Sequence, residues 1–295
     1  MEKLKHNSNK LRSLVAIGLA STALTAGGAP VEAMEQPPRI ELTTNEEQFT
    51  PPLAPPSPER VDIQPELLRA WQEIIAKNPG RIDVALFDSR TGSLTSTYTD
   101  GGSFYPASIV KLPIAIELFR KDPAYARAHM DDMQRMISHS DNDATARLFT
   151  RVGSVDLEGL YRDAGLATTH TTGGNWSAST TAAADQVRLV NMVAYPSPLI
   201  APEDAATILD LMYHTAPDQR WGVPSGLPAD ASSANKNGWY ADSCNSIGLV
   251  NGQGVNYTMA IISDHDPSNN SYCTDFKETS RQPSAATWQI MRSAV

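Results

Sequence analysis

The chain has 295 residues, of which 41% are hydrophobic and 7% aromatic, and a formal net charge of −9. That length suits one large domain or two small ones, and the composition supports a packed core rather than wholesale disorder. The acidic balance excludes nucleic acid and anionic membrane surfaces as natural partners.

Lys3, Lys5, Lys10 and Arg12 precede a short apolar stretch from Leu14 to Thr25, and small residues then lead to Val31-Glu32-Ala33. This is the pattern of a secretory signal peptide over residues 1–33, which implies a secreted, extracytoplasmic protein. The apolar run is short for a bilayer, so no stable membrane span is expected after cleavage. Beyond residue 33 the chain carries 20 Lys and Arg against 31 Asp and Glu, a net charge of −11. Residues 34–60 hold seven prolines without sustained periodicity, the composition of an extended linker. The globular domain is expected over residues 61–295.

In that domain, Leu67, Leu68, Trp71, Ile74 and Ile75 recur at helical spacing between Pro65 and Lys77. Arg81 to Asp88 reads as a strand, Ser89 to Gly92 as a turn and Ser93 to Tyr98 as a second strand. Mainly helical segments follow to about residue 215, including Ala124 to Ser138 and Ala144 to Val152. Met130, Met133 and Met136 sit at helical spacing and are expected in the core. Three strands come next: Asn235 to Ala241, Asn245 to Val250 and Val255 to Ser263. Gly252-Gln253-Gly254 is a hairpin turn rather than a nucleotide loop, since no third glycine follows. A helix over Ser284 to Ser293 closes the chain. The fold class is therefore α+β: an antiparallel sheet built from both chain ends and flanked by helices, with a helical lobe beside it.

Three short segments carry candidate chemistry. In Ser108-Ile109-Val110-Lys111, positions three apart share a helix face, so the lysine amine can approach the serine hydroxyl. A serine hydroxyl needs such a base, and lysine serves as one once burial lowers its pKa. Ser140-Asp141-Asn142 lies between two helical segments, where a hydroxyl and an amide can be aimed into a cleft; an ordinary helix cap has the same composition. Lys236-Asn237-Gly238-Trp239 lies on the expected edge strand, with a lysine able to hold a carboxylate and a glycine that lets substrate backbone approach. Each segment alone is ordinary sequence.

Their order is not ordinary. S-x-x-K at a helix start, S-D-N at a helix junction and K-x-G on a late strand together resemble the motif set of class A β-lactamases and penicillin-binding proteins, over roughly residues 65–293. The resemblance implies Ser108 as acyl-enzyme nucleophile, Lys111 as its base and Ser140 as proton relay to the leaving nitrogen. It implies Asn142 as partner of the substrate amide, and Lys236 with Asn237 as partners of its carboxylate. Gly238 would admit the substrate, and the backbone amides of Ser108 and Trp239 would form the oxyanion hole. Asp141 would fix the junction. The substrate would be a β-lactam or a D-alanyl peptide, and neither cofactor nor metal is called for. A D-alanyl-D-alanine carboxypeptidase or penicillin-binding protein is the alternative reading. A non-catalytic cell-wall-binding protein is a further one.

Three departures stand out. Asn237 replaces the usual threonine or serine, and the stretch between Lys111 and Ser140 is short. No glutamate occurs between Glu158 and Glu203, and residues 165–181 contain no acid, so water attack on an acyl-enzyme should be slow. His139 and His170 lack the G-x-S-x-G context of a Ser-His-Asp hydrolase. Cys244 and Cys273 are the two cysteines; in an exported chain a disulfide between them is the leading expectation, with two free thiols as the alternative.

Overall fold

The computed structural model describes residues 61–78, 80–97, 103–171, 173–240, 243–264 and 272–295. The expected signal peptide and linker, residues 1–33 and 34–60, lie outside these. Helix α1 (Gln64–Ile75) starts with a proline in its first turn and buries Leu67 and Trp71 one turn apart. It leads into β1 (Arg81–Asp88) and β2 (Ser93–Ser96). A 3-10 turn (Ala107–Val110) then opens α2 (Lys111–Lys121), which is buried along most of its length.

The segment 124–138, expected as one helix, is two: α3 (Pro123–Ala128) and α4 (Met130–Ser138). His129 leaves helical geometry between them (φ −117°, ψ 34°) and stacks on Tyr125 at 3.8 Å. Met133 and Met136 are buried as expected, whereas Met130 is half-buried against the same core. Helix α5 (Asn142–Asp163) runs well past residue 152, with a kink at Gly153, whose φ of 77° suits glycine. Two-residue strands β3 (His170–Thr171) and β4 (Ser179–Thr180) pinch the base of the acid-free loop and were too short to show a period. Helices α6 (Ala183–Ala194) and α7 (Pro202–Tyr213) complete the helical lobe.

Strands β5 (Ser232–Tyr240), β6 (Ser243–Gly252) and β7 (Val255–Asp264) follow, then α8 (Tyr272–Thr279) and α9 (Arg281–Ser293). The sheet order is β2-β1-β7-β6-β5, antiparallel throughout, so the first strand pairs with the last along its whole length, from Arg81–Asp264 to Asp88–Tyr257. Sheet assembly from both chain ends is thus observed. One sheet face packs on α6 and α7, with α2, α4 and α5 completing the same core; the other packs on α1, α8 and α9. Because both faces are covered, β1 is buried almost continuously instead of alternating.

Two buried polar links lock these layers. Trp71 Nε1 donates to Thr287 Oγ1 at 2.9 Å, joining α1 to α9. The buried Asp83 carboxylate on β1 accepts from the Ala183 backbone amide at 2.9 Å, at the positive N-terminal end of α6. Edge strand β5 packs directly on α7 and on the 3-10 turn before α2.

Cys244 and Cys273 form a disulfide with a Cα separation of 5.5 Å, tying β6 to α8. Closing a sequence separation of 29 residues restricts the unfolded chain by about 3–4 kcal/mol. Reduction is expected to lower unfolding free energy by about that amount in a denaturant titration, and non-reducing peptide mapping should recover the two cysteine peptides linked.

Candidate active site

The turn bearing Ser108 is held in a sparsely populated backbone conformation. Ala107 has a φ of +47°, which is unfavourable for a residue with a Cβ, by roughly 1 kcal/mol or more. Three contacts compensate. Ile109 and Val110 are buried. The Asn245 amide on β6 donates to Tyr105 O at 2.9 Å and Pro106 O at 3.0 Å. Gly238 on β5, opposite Asn245 in register, lies against the turn itself. A Cβ there would sit 2.5 Å from Ser108 N and 2.7 Å from Ile109 N. The Ser108 turn itself therefore requires the glycine, a constraint that the sequence did not reveal.

Lys111 begins α2 and is fully buried. Its Nζ donates to Ser108 Oγ (2.9 Å), Ser140 O (2.7 Å), Ser140 Oγ (3.2 Å) and Asn142 Oδ1 (2.7 Å). Four acceptors surround three hydrogens, so the amine is confined whichever set it uses. Burial pulls its pKa down to about 8, against a smaller upward effect of Asp141. The Trp176 ring, from the acid-free loop, covers the amine with its centroid 5.3 Å from Nζ.

Ser140 joins α4 to α5 with a φ of +59°. Asp141 fixes this junction, as expected: its carboxylate caps the Ala144 amide at 2.8 Å and pairs with Arg135 at 2.5 Å. Lys236 reaches across from β5 and donates to Ser140 Oγ at 2.9 Å and to Asn237 O at 2.8 Å. Burial, and then repulsion from Lys111, hold its pKa well below the usual lysine range. Ser140 Oγ thus lies between two amines, and a continuous polar chain runs Ser108–Lys111–Ser140–Lys236.

One expected contact is unavailable in this geometry. Asn237 lies on the face of β5 opposite to Lys236, is fully buried, and spends its amide on Gln219 O (2.7 Å) and Trp221 O (3.0 Å). It braces the strand against the segment before it and offers no hydrogens to a substrate carboxylate. Lys236 has no exposed surface and two of its three hydrogens are engaged. Asn142 is exposed and directs its carbonyl oxygen to Lys111, which leaves its NH₂ for the cleft. Trp239 is 44% exposed on the edge strand. Of the histidines, His170 lies 3.3 Å from Glu158 on β3, and the exposed His139 gives its backbone carbonyl to Gln219.

Sequence reasoning missed Asn245, Gln219 and Trp176. The first two act through backbone carbonyls and leave no motif. Trp176, a bulky ring within an acid-free polar loop, was a visible signal.

This pair of lobes with a lysine-bonded serine between them is the fold of the serine β-lactamase and penicillin-binding protein superfamily. A PBP-A L158E mutant, solved as an acyl-enzyme complex with penicillin G, is 20% identical over 76% of this chain and 97% of that one, with a TM-score of 0.65. An ancestral class A β-lactamase is 16% identical over 76% and 99%, with a TM-score of 0.64. A class A representative from Bacteroides cellulosilyticus DSM 14838 is 14% identical over 79% and 99%, with a TM-score of 0.68. No curated protein matches. The model of the beta-lactamase enzyme family matches residues 130–286, more than half of the chain, and the chain belongs to that family.

Gly238→Ala is expected to push the Ser108 turn off its position, destabilising the fold by about 1–3 kcal/mol in denaturant melts. Any Ser108-dependent labelling should fall with it.

Proposed function

We propose that this chain is an extracytoplasmic serine hydrolase that forms an acyl-enzyme at Ser108 with β-lactam or D-alanyl amides and releases it slowly. The single observation carrying this reading is the 2.9 Å contact between Ser108 Oγ and a buried lysine amine with a pKa near 8. The disulfide agrees with an oxidising compartment.

In the proposed reaction, neutral Lys111 accepts the Ser108 proton as the hydroxyl oxygen attacks the substrate carbonyl. The backbone amides of Ser108 and Trp239 stabilise the oxyanion. The proton passes through Ser140 to the leaving nitrogen, the C–N bond breaks and Ser108 is left as an ester. Lys236 holds the Ser140 hydroxyl in place and biases it electrostatically. Asn142 orients the substrate amide through its NH₂ group.

Water must then attack the ester. The loop at 165–181 brings the ring of Trp176 to Lys111 and contains no carboxylate to activate that water. This observation favours a long-lived adduct, and with it the second reading, a penicillin-binding protein or D,D-carboxypeptidase.

Intact-mass measurement after incubation with benzylpenicillin tests the proposal. The wild type should gain one penicilloyl group that persists, and Ser108→Ala should gain none. Absence of both a Ser108-dependent adduct and turnover would leave only the non-catalytic wall-binding reading. Rapid turnover without an adduct would establish an efficient β-lactamase, and release of D-alanine from a peptide would establish the carboxypeptidase.

The pH dependence follows from Lys111. Its neutral fraction falls tenfold per pH unit below its pKa, so the acylation rate should rise about tenfold per unit up to about pH 8 and then level. Lys111→Ala should slow acylation by about 10²–10⁴-fold and abolish that slope in stopped-flow assays.

A further inference from the structure

Asn245 on β6 is fully buried, and both polar atoms of its side chain are engaged. Its Nδ2 donates to Tyr105 O at 2.9 Å and Pro106 O at 3.0 Å, and its Oδ1 accepts from the Ser263 amide at 3.1 Å. Ser263, on β7, also donates its hydroxyl to Cys244 O at 2.7 Å, one residue before Asn245. The strand beneath the side chain is paired on both sides, with Gly238 of β5 and Ile262 of β7 as the register partners of Asn245. The carboxamide therefore ties the segment before Ser108 to two strands at once.

That segment, residues 104–106, joins two parts of the site. Phe104 exchanges two 2.8 Å backbone bonds with Thr181, at the end of the acid-free loop. Pro106 O accepts from the Ile109 amide at 3.3 Å as well as from Asn245, which closes the turn around Ala107 and Ser108. The positive φ of Ala107 persists only while its surroundings enforce it. Without the Asn245 amide, two carbonyls beside this strained residue and the Ser263 amide would each lose a partner. Relaxation of the turn would then carry Ser108 Oγ away from the Lys111 amine, which lies 2.9 Å from it.

We propose that Asn245 is a positioning residue for acyl transfer: by fixing the carbonyls of Tyr105 and Pro106 against β6 and β7, it holds the Ser108 hydroxyl at the Lys111 amine. It acts through the turn and touches no reacting atom; the reaction it serves rests on the acyl-enzyme reading. A carboxamide of this size brings two hydrogens and an acceptor to one place, which neither aspartate nor alanine does.

Stopped-flow acylation by benzylpenicillin, with the labelled fraction read by intact mass, compares the wild type with Asn245→Ala and Asn245→Asp. In Asn245→Ala the limiting acylation rate should fall by about ten- to a hundredfold while the folded protein is still labelled to completion. Non-covalent affinity for benzylpenicillin, measured in the Ser108→Ala background, should change by less than about twofold. Asn245→Asp should fall between the two, because a protonated carboxyl keeps one hydrogen to donate; it also carries the test if Asn245→Ala does not fold. Hydrogen exchange at the Ile109 amide should quicken by about tenfold in Asn245→Ala. A merely structural role would lower the melting temperature and the labelled fraction and leave the rate of the folded fraction unchanged, and that result overturns the proposal. If benzylpenicillin acylates none of the proteins, the acyl-enzyme reading falls. Exchange at Ile109 then still decides on Asn245, since exchange as slow as in the wild type would show that it does not hold the turn.

Discussion

The buried amine of Lys111 is the joint on which this molecule turns. It is the first residue of α2, yet its nitrogen is satisfied by oxygens from three different places: the turn before it, the Ser140 junction and the start of α5. An amine without exposed surface is tolerated only when such partners surround it. Its burial therefore requires α2, α4 and α5 to meet at one point, and the same burial lowers its pKa into a range useful for proton transfer. One constraint thus sets both the packing of the lobe and its chemistry.

Strain is concentrated around that joint. Ala107 and Ser140 both have positive φ without being glycine, and they bracket the lysine from opposite sides. Each is over-determined by neighbours: Asn245 and Gly238 for the first, Asp141 and its Arg135 partner for the second. Their side chains are consequently presented in directions an ordinary helix would not allow. Such conformations persist only where surrounding contacts outweigh their cost.

Much of this was legible from residue order. Period and turn chemistry located β1 and the three late strands to within a few residues, because buried strands and Gly-rich turns are local signals. The Ser108–Lys111 pair and the Ser140–Asn142 junction could be read from spacing. The break at His129, the continuation of α5 through Gly153 and the minimal β3–β4 pair could not, since backbone geometry decides them. Side-chain direction was the deeper gap. Alternation along β5 turns Asn237 away from Lys236, and only the paired sheet reveals that its amide is committed to Gln219 and Trp221. Likewise, the need for Gly238 arises from a segment some 130 residues earlier in the chain.

The pairing of β1 with β7 also bears on how the domain comes into being. The helical lobe is rich in near-neighbour contacts and can acquire structure locally. The sheet cannot, because its second strand in space waits for the final strand in sequence before it gains a partner on its inner side. Closing that loop carries an entropic cost before any contact repays it, and non-local pairings of this kind slow folding. The polar chain Ser108–Lys111–Ser140–Lys236 draws on β5 as well as on the helical lobe, so it depends on that sheet being assembled. Partly folded forms would therefore contain Ser108 and Lys111 without the polar partners that surround the amine.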